Sequence, residues 1–357
     1  MRAQRGMFRA LLLISLMFVA LALYCTTLET SPRSVALVAV CKLSITNRAR
    51  FERAFQTWLK LRGTSEIIVI DWNSTVQVAE LIRKTIAVSG KSRKTVTIRV
   101  VRVSHGPSVD WRISVAFNVA LRNVRSDVVL KLDIDSLVAP DFLEKNMINS
   151  RMFRYGDWRK ARDSNDLHLN GVFIASTSHL QAVHGMDERF SLYGWDDSDL
   201  YNRLTAHLQK TTTSETCISC DLVRSTKASE SSLITHMIHK RDLDEAQENW
   251  SICFNRLSVK EVLPWSGTMG GNVVCQRIEQ DRTLPLETQS CFISSNVAAI
   301  GKTLAESRCD EIVCACESET HVVVGTELWA RACPSREPVL KRARRNCHHR
   351  GRLRRSN

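Results

Sequence analysis

Acidic residues are missing from the end of the chain. Lys341 to Asn357 holds eight Lys or Arg and no Asp or Glu. The whole chain has 357 residues and a net charge of +13, so the remainder carries only +5. The basicity is that of a tail and not of a domain, which argues against a nucleic-acid partner. Like charges without apolar periodicity cannot bury a core, so 341–357 is expected to be a basic disordered tail. No internal repeat is visible. Matched Cys-x-x-Cys pairs are absent as well, although there are twelve cysteines, eight of them between Cys253 and Cys347. Zinc modules use such matched spacings, so disulfides and an oxidising compartment are the favoured reading. Cys217-x-x-Cys220 lacks the preceding strand of a redox motif and is expected to be structural. Eleven cysteines follow the apolar N-terminal run, an odd number, and Cys41 is the candidate for the unpaired one.

Residues 10–24 are almost wholly apolar and follow Arg2, Arg5 and Arg9. Positive flanks keep that end cytosolic, so the bulk of the chain would face a lumen. Extended to 10–28, the run nearly reaches the ~20 residues that span a bilayer, as a signal anchor would. Alternatively it is a signal peptide cut after Ala20-Leu21-Ala22. With residues 1–9 cytosolic, the anchored form is a single-pass type II protein of the Golgi or another secretory membrane.

Beyond this segment the pattern is α/β. Val35 to Val40 is a continuous apolar run, as a buried parallel strand would be. Phe51, Ala54, Phe55, Trp58 and Leu59 fall at helical spacing, with Thr46 or Asn47 as cap and Gly63 as stop. Ile67–Ile70 is the next buried strand, closing on Asp71, and Val76–Val88 is a helix. Thr95–Val103 alternates as a half-exposed strand, Val115–Val124 is helical, and Val128–Leu132 is a further buried strand. A short strand at Leu169–Ala175 precedes a helix from Ser178. This alternation predicts a mostly parallel sheet, with ligands at the carboxyl ends of its strands. A boundary is expected near residue 250. Residues 34–250 would form the α/β domain and 251–340 a Cys-rich, disulfide-bonded extension.

Asp133 and Asp135 follow the 128–132 strand. Residues two apart in an extended chain point to one side, so both carboxylates can meet one ligand. Hard oxygens suit Mg²⁺ or Mn²⁺ bridging a diphosphate. About sixty residues later, Gly194-Trp195 precedes Asp196, Asp197 and Asp199 at a helix start. Acids there stabilise the helix dipole, and one can also act as a general base on a hydroxyl. Trp195 offers an aromatic face to a sugar ring. His236-Met237-Ile238-His239 supplies further candidate metal ligands.

These motifs resemble those of inverting glycosyltransferases of the GT-A fold. Residues 34–245 are most similar to the galactosyltransferase C-terminal domain of β-1,4-galactosyltransferases and chondroitin-type enzymes, with related family-two enzymes further off. Asn170-Gly171-Val172-Phe173 resembles the family's Gly-Gly-Val segment. Gly194 to Leu204 resembles its Gly-Trp-Gly-Gly-Glu-Asp-Asp-Asp-Ile-Phe-Asn-Arg-Leu, without the two intervening glycines and with Asp for Glu. The resemblance implies Asp197 as catalytic base, with Asp196, Trp195 and Gly194 at the acceptor. It implies Asp71, Asp133, Arg48, Arg112, Asn170 and Gly171 around the nucleotide sugar. His239-Lys240-Arg241-Asp242 is similar to the family's His-Ser-Arg-Asp, so His239 would join Asp135 as a metal ligand. The expectation is a GT-A enzyme using Mn²⁺ or Mg²⁺ and a UDP-sugar, of galactose type or its N-acetyl relative, on a glycan acceptor. The alternative is an inactive glycan-binding protein on that scaffold.

Overall fold

The computed structural model describes residues 33–293, apart from 90–95, 106–110, 191–192, 212–217, 225–232, 238–244, 261–266, 268, 271–272, 277 and 282. The expected 10–28 anchor, Cys217, His239 and the basic tail lie outside these residues. Among the described residues no helix is long and apolar enough to cross a membrane.

In chain order the first elements are β1 (Val35–Cys41), α1 (Ile45–Trp58), β2 (Thr64–Trp72), α2 (Val78–Ser89), β3 (Thr97–Ser104), α3 (Ile113–Asn123) and β4 (Val128–Lys131). Then come β5 (Ser136–Val138), α4 (Phe142–Asn146), β6 (Phe153–Tyr155), a 3₁₀ turn at Trp158–Lys160, α5 (Ser164–Leu167), β7 (Phe173–Ser176) and α6 (Thr177–Ala182). The last are α7 (Asp196–Thr211), β8 (Ser219–Asp221), β9 (Ile234–His236), α8 (Glu245–Lys260), β10 (Val273–Cys275), β11 (Glu279–Gln280) and β12 (Leu286–Ile293).

The main sheet runs β10-β12-β3-β2-β1-β4-β7-β6-β8. Its centre, β12 through β4, is parallel, and β7 pairs antiparallel with both β4 and β6. The expected α/β class with a mostly parallel central sheet is what forms. The unbroken apolar run of β1 has a direct cause. Val35, Leu37 and Ala39 pack beneath Phe51, Phe55, Trp58, Leu81 and Ile82 on one face, while Ala36, Val38 and Val40 meet α3 and Leu200, Leu204 and Leu208 on the other. A strand covered on both faces has no side for polar residues.

Local details depart from the sequence expectation. Ser44 is the N-cap of α1, and Asn47 answers it by accepting the Ser44 N–H at 2.7 Å. The helix stops at Trp58, and Gly63, at φ +83°, turns the chain into β2 five residues later. Strand β3, expected to be half exposed, is largely buried. Its Arg99 side chain, 2% exposed, donates to Glu287 at 2.7 Å and to the carbonyl of Asn123. A polar residue at that register marks a buried ion pair with the next strand, not a solvent face.

That next strand is β12, from the segment expected to lie in a separate extension. It runs parallel to β3 over seven residue pairs, and Cys291 is bridged to Cys275 on β10. The expected boundary at 250 falls inside α8. For the described residues it therefore shifts: cysteine density drew the line, but 273–293 belongs to the central sheet. Cys220 and Cys253 are also disulfide-bonded, and Cys41 is buried and free, as the odd count suggested.

Candidate active site

The carboxyl end of β4 delivers the Asp133–Asp135 turn, and α1 holds it in place. Leu132 N–H donates to the Val38 carbonyl, and Ser136 N–H closes the turn on the Asp133 carbonyl at 3.0 Å. Trp58 reaches from α1 to donate its indole N–H to the Ser136 carbonyl at 2.9 Å, and Thr57 Oγ1 accepts the Val138 N–H. The aromatic stripe of α1 is thus both core and brace.

Across the sheet, β7 pairs with β4 so that Phe173 faces Lys131, which brings the preceding Gly171 over the Asp133 turn. A Cβ at Gly171 would lie 2.8 Å from Lys131 Nζ, 3.2 Å from Asp133 Oδ2 and 3.3 Å from Asp197 Oδ2. Gly171 is therefore the point where β4, the turn before β7, and α7 converge too closely to admit a side chain. Tyr201 of α7 donates to the Asn170 carbonyl at 2.5 Å and ties these pieces together.

Lys131 is the residue at this site that sequence reasoning passed over. Its side chain is 1% exposed, with Nζ 3.0 Å from Asp133 Oδ1 and 4.0 Å from Asp197 Oδ1. Burial alone would push the ammonium down, but the charges of Asp133, Asp197 and Asp196 outweigh it and hold it above its ordinary value. A lysine inside an otherwise apolar strand was the available signal, because such a group is rarely buried unpaired.

Asp197 is the opposite case. Burial, with the charges of Asp196 and Asp133, overcomes the Lys131 cation and pushes its carboxyl up to about 8. Asp196 is raised too, chiefly by burial. Asp197 Oδ1 is buried without a hydrogen-bond partner, 4.0 Å from Lys131 being too far for one. A carboxyl whose pKa is raised toward neutrality is suited to exchange a proton near neutral pH.

Backbone conformation aims the pair. Gly194 and Trp195 both occupy the left-handed region, at φ +83° and +68°. This is costly for tryptophan, and such strain persists only where the surroundings impose it. The surroundings here are α8. A Cβ at Gly194 would lie 2.5 Å from Ile252 Cγ1, and Asn255 donates to the Gly194 carbonyl at 2.7 Å. Trp195, half-buried, leads directly into α7, whose first turn holds Asp196, Asp197 and Asp199.

Asp135 takes another direction. Its buried carboxylate lies 3.3 Å from His236 Nδ1, on the β5–β9 pair, and His168 stacks on the His236 ring at 4.9 Å. Asn165 fixes β9 by accepting the His236 N–H and donating to the Ile234 carbonyl. One carboxylate and one imidazole at this separation suit a divalent ion with bonds of about 2.1 Å. Among the described residues no group of three His, Cys, Asp or Glu forms a fuller cage. Mg²⁺ or Mn²⁺ would then keep water or substrate oxygens in its shell, as these ions commonly do. His239, expected in this role, lies outside the described residues, and His236 of the same stretch is the histidine facing Asp135.

Three other expected nucleotide-site residues have protein partners of their own. Asp71, next to last in β2, is buried, with its carboxylate taken up by the Ser74 N–H at 2.9 Å and by Arg102 at 2.7 Å. Burial raises its pKa despite these two partners. Arg102, 30% exposed, is what that edge presents to solvent. Arg48 is exposed on the first turn of α1 and pairs with Glu52. Arg112 caps α3 and donates to the Glu188 carbonyl.

Residues 157–222, which include Gly171, Trp195 and Asp197, match the sequence family described as the N-terminal domain of galactosyltransferase. No curated protein matches the chain in sequence. Among solved structures, it is similar to a Drosophila β1,4-galactosyltransferase 7 in complex with manganese, UDP-Gal and xylobiose. That similarity has 14% identity and a TM-score of 0.44, and covers 74% of this chain and 96% of that one. A Mycobacterium tuberculosis glucosyl-3-phosphoglycerate synthase with Mn²⁺, UDP and glucosyl-3-phosphoglycerate is similar at 17% identity and a TM-score of 0.40, over 71% of this chain and 88% of that one.

Proposed function

We propose that the protein is an inverting, metal-dependent glycosyltransferase that moves a hexose or N-acetylhexosamine from a UDP-sugar, galactose type favoured, to a glycan hydroxyl. The observation that carries this reading is the convergence of Asp133, Asp197 and Lys131 around Gly171. The galactosyltransferase-type sequence of 157–222 supports it.

The chain's own residues have separate tasks. Asp197 accepts the acceptor hydroxyl proton. Asp196, one residue earlier on the same helix turn, orients the acceptor, and Trp195 covers the apolar side of a sugar ring. Gly171 lets the turn before β7 approach Lys131 and Asp133 closely. Lys131 keeps Asp133 and Asp197 close together despite their like charge. Asp135 and His236 would hold the divalent ion. That ion, when bound, neutralises charge on the departing nucleoside diphosphate. Attack from the Asp197 side on the anomeric carbon, opposite the leaving group, inverts configuration.

We also place the enzyme in the lumen of the Golgi or a related secretory compartment, anchored through residues 10–28. The disulfides at Cys220, Cys253 and Cys275–Cys291 support an oxidising location.

The test is a UDP-sugar screen, read as hydrolysis and transfer, with Mn²⁺ and EDTA arms. Turnover is expected only with metal. Asp135→Ala should lose Mn²⁺-dependent UDP affinity. Asp197→Asn should keep it and lose transfer by about 10²–10⁴-fold. Undiminished metal-dependent UDP binding in Asp135→Ala overturns the metal assignment. No turnover across the screen favours the glycan-binding alternative.

A further inference from the structure

A second cluster of titratable side chains lies apart from this site. His179 of α6 turns its Nδ1 toward Nε2 of His207 on α7 at 3.2 Å, with ring centres 5.2 Å apart and ring planes at 59°. His179 Nε2 is 2.8 Å from the Ser150 carbonyl oxygen. A carbonyl only accepts, so in the neutral ring this nitrogen carries the proton and Nδ1 keeps a lone pair aimed at His207. Both residues are half-buried and open to small ions.

Two arrangements bring imidazoles this close, and their geometry differs. Nitrogens pointing straight at each other in a hydrogen bond of this length place ring centres roughly 5.5 Å apart. Two imidazoles sharing one tetrahedral ion, with bonds of about 2.0–2.1 Å, place the nitrogens roughly 3.3 Å and the ring centres roughly 5.2 Å apart. The observed pair matches the second spacing, as does a hydrogen bond bent by about 30° at each ring. We propose that His179 and His207 form a two-histidine site for Zn²⁺, with water completing the tetrahedron, which fastens α6 to α7.

Two further features fit. The Ser150 carbonyl on the far nitrogen of His179 is the outer partner that metal-bound imidazoles commonly have, and it fixes the tautomer. The donor set is purely nitrogen and suits Zn²⁺, whereas Asp135 with His236 includes the oxygen donor that Mn²⁺ and Mg²⁺ prefer. The two sites would thus take different ions. The staple would close the segment between α6 and α7, which contains the Gly194–Trp195 elbow, and would steady the helix that carries Asp197.

The experiment is thermal unfolding of the full chain as Zn²⁺ is titrated under saturating Mn²⁺. Wild type, Asp135→Ala, His179→Gln and His207→Gln are compared. The zinc-dependent rise in Tm is expected in wild type and in Asp135→Ala. In both histidine variants the apparent zinc affinity should drop at least tenfold. A Zn²⁺ response that both variants retain, or none in wild type, overturns the proposal. Should either variant fail to fold, ring ¹³C-labelled histidine in the wild-type protein decides. The signals of His179 and His207 should move together at one equivalent of Zn²⁺, and unmoved signals reject the site.

Discussion

Lys131 stands between two carboxylates that would otherwise repel each other in a poorly solvated corner. Removing one partner of a buried ion pair leaves charge uncompensated. With Asp133 31% exposed, Lys131→Met is expected to cost roughly 2–3 kcal/mol at pH 7. Thermal unfolding of both proteins at pH 7 checks this, and an unchanged Tm would show that Lys131 stabilises nothing. Asp197 gives the complementary case. Its folded value of about 8 lies above the ordinary 3.8. Whatever stability it contributes is therefore complete below about 3.8 and lost as pH rises toward 8. Metal-free Asp197→Asn should be more stable than wild type at pH 8, by roughly 1–3 kcal/mol, and no more stable at pH 4. Melting curves at both pH values decide the sign.

At the scale of elements, the active site is an assembly of turns whose geometry is imposed from outside. The Asp133–Asp135 turn is braced by α1, and the Gly194–Trp195 elbow by α8. Gly194→Ala would add strain of about 1–2 kcal/mol for a left-handed residue and a clash with Ile252. It should lower transfer more than tenfold while the sheet stays folded, a combination that circular dichroism and a transfer assay can read together. Ile252→Ala in that background removes the clash but not the φ requirement, so it should restore only part of the activity. Full restoration would show that space, not backbone conformation, is what glycine supplies.

For the whole molecule, the consequence of β12 is a single sheet that crosses the Cys-rich border. Truncation after Trp250 removes β10, β11 and β12 and cuts α8 in two. It would open the edge of β3 and remove the Glu287 partner of Arg99. An exposed strand edge invites pairing with other chains. Such a fragment should aggregate on expression, as size-exclusion chromatography would show. A monodisperse fragment with wild-type Tm would return residues 251–340 to the status of a separate extension.

What the sequence determined by itself is everything set by local pattern. The apolar runs of β1, β2 and β4 and the helical spacing of Phe51, Phe55 and Trp58 specify an α/β sheet, because burial on both faces requires such runs. The Asp-x-Asp after β4 and the Gly-Trp-acid-acid start of α7 mark the carboxyl edge as the place of chemistry. Relations across long sequence distances were decided only by the tertiary structure. Pairing of β4 with β7 sets Lys131 against Gly171, pairing of β5 with β9 sets His236 on Asp135, and β12 turns an alternating strand into a buried one. Composition and periodicity report whether a side chain is buried. The partner it is buried against depends on strand order and register, which arise only when distant segments pack.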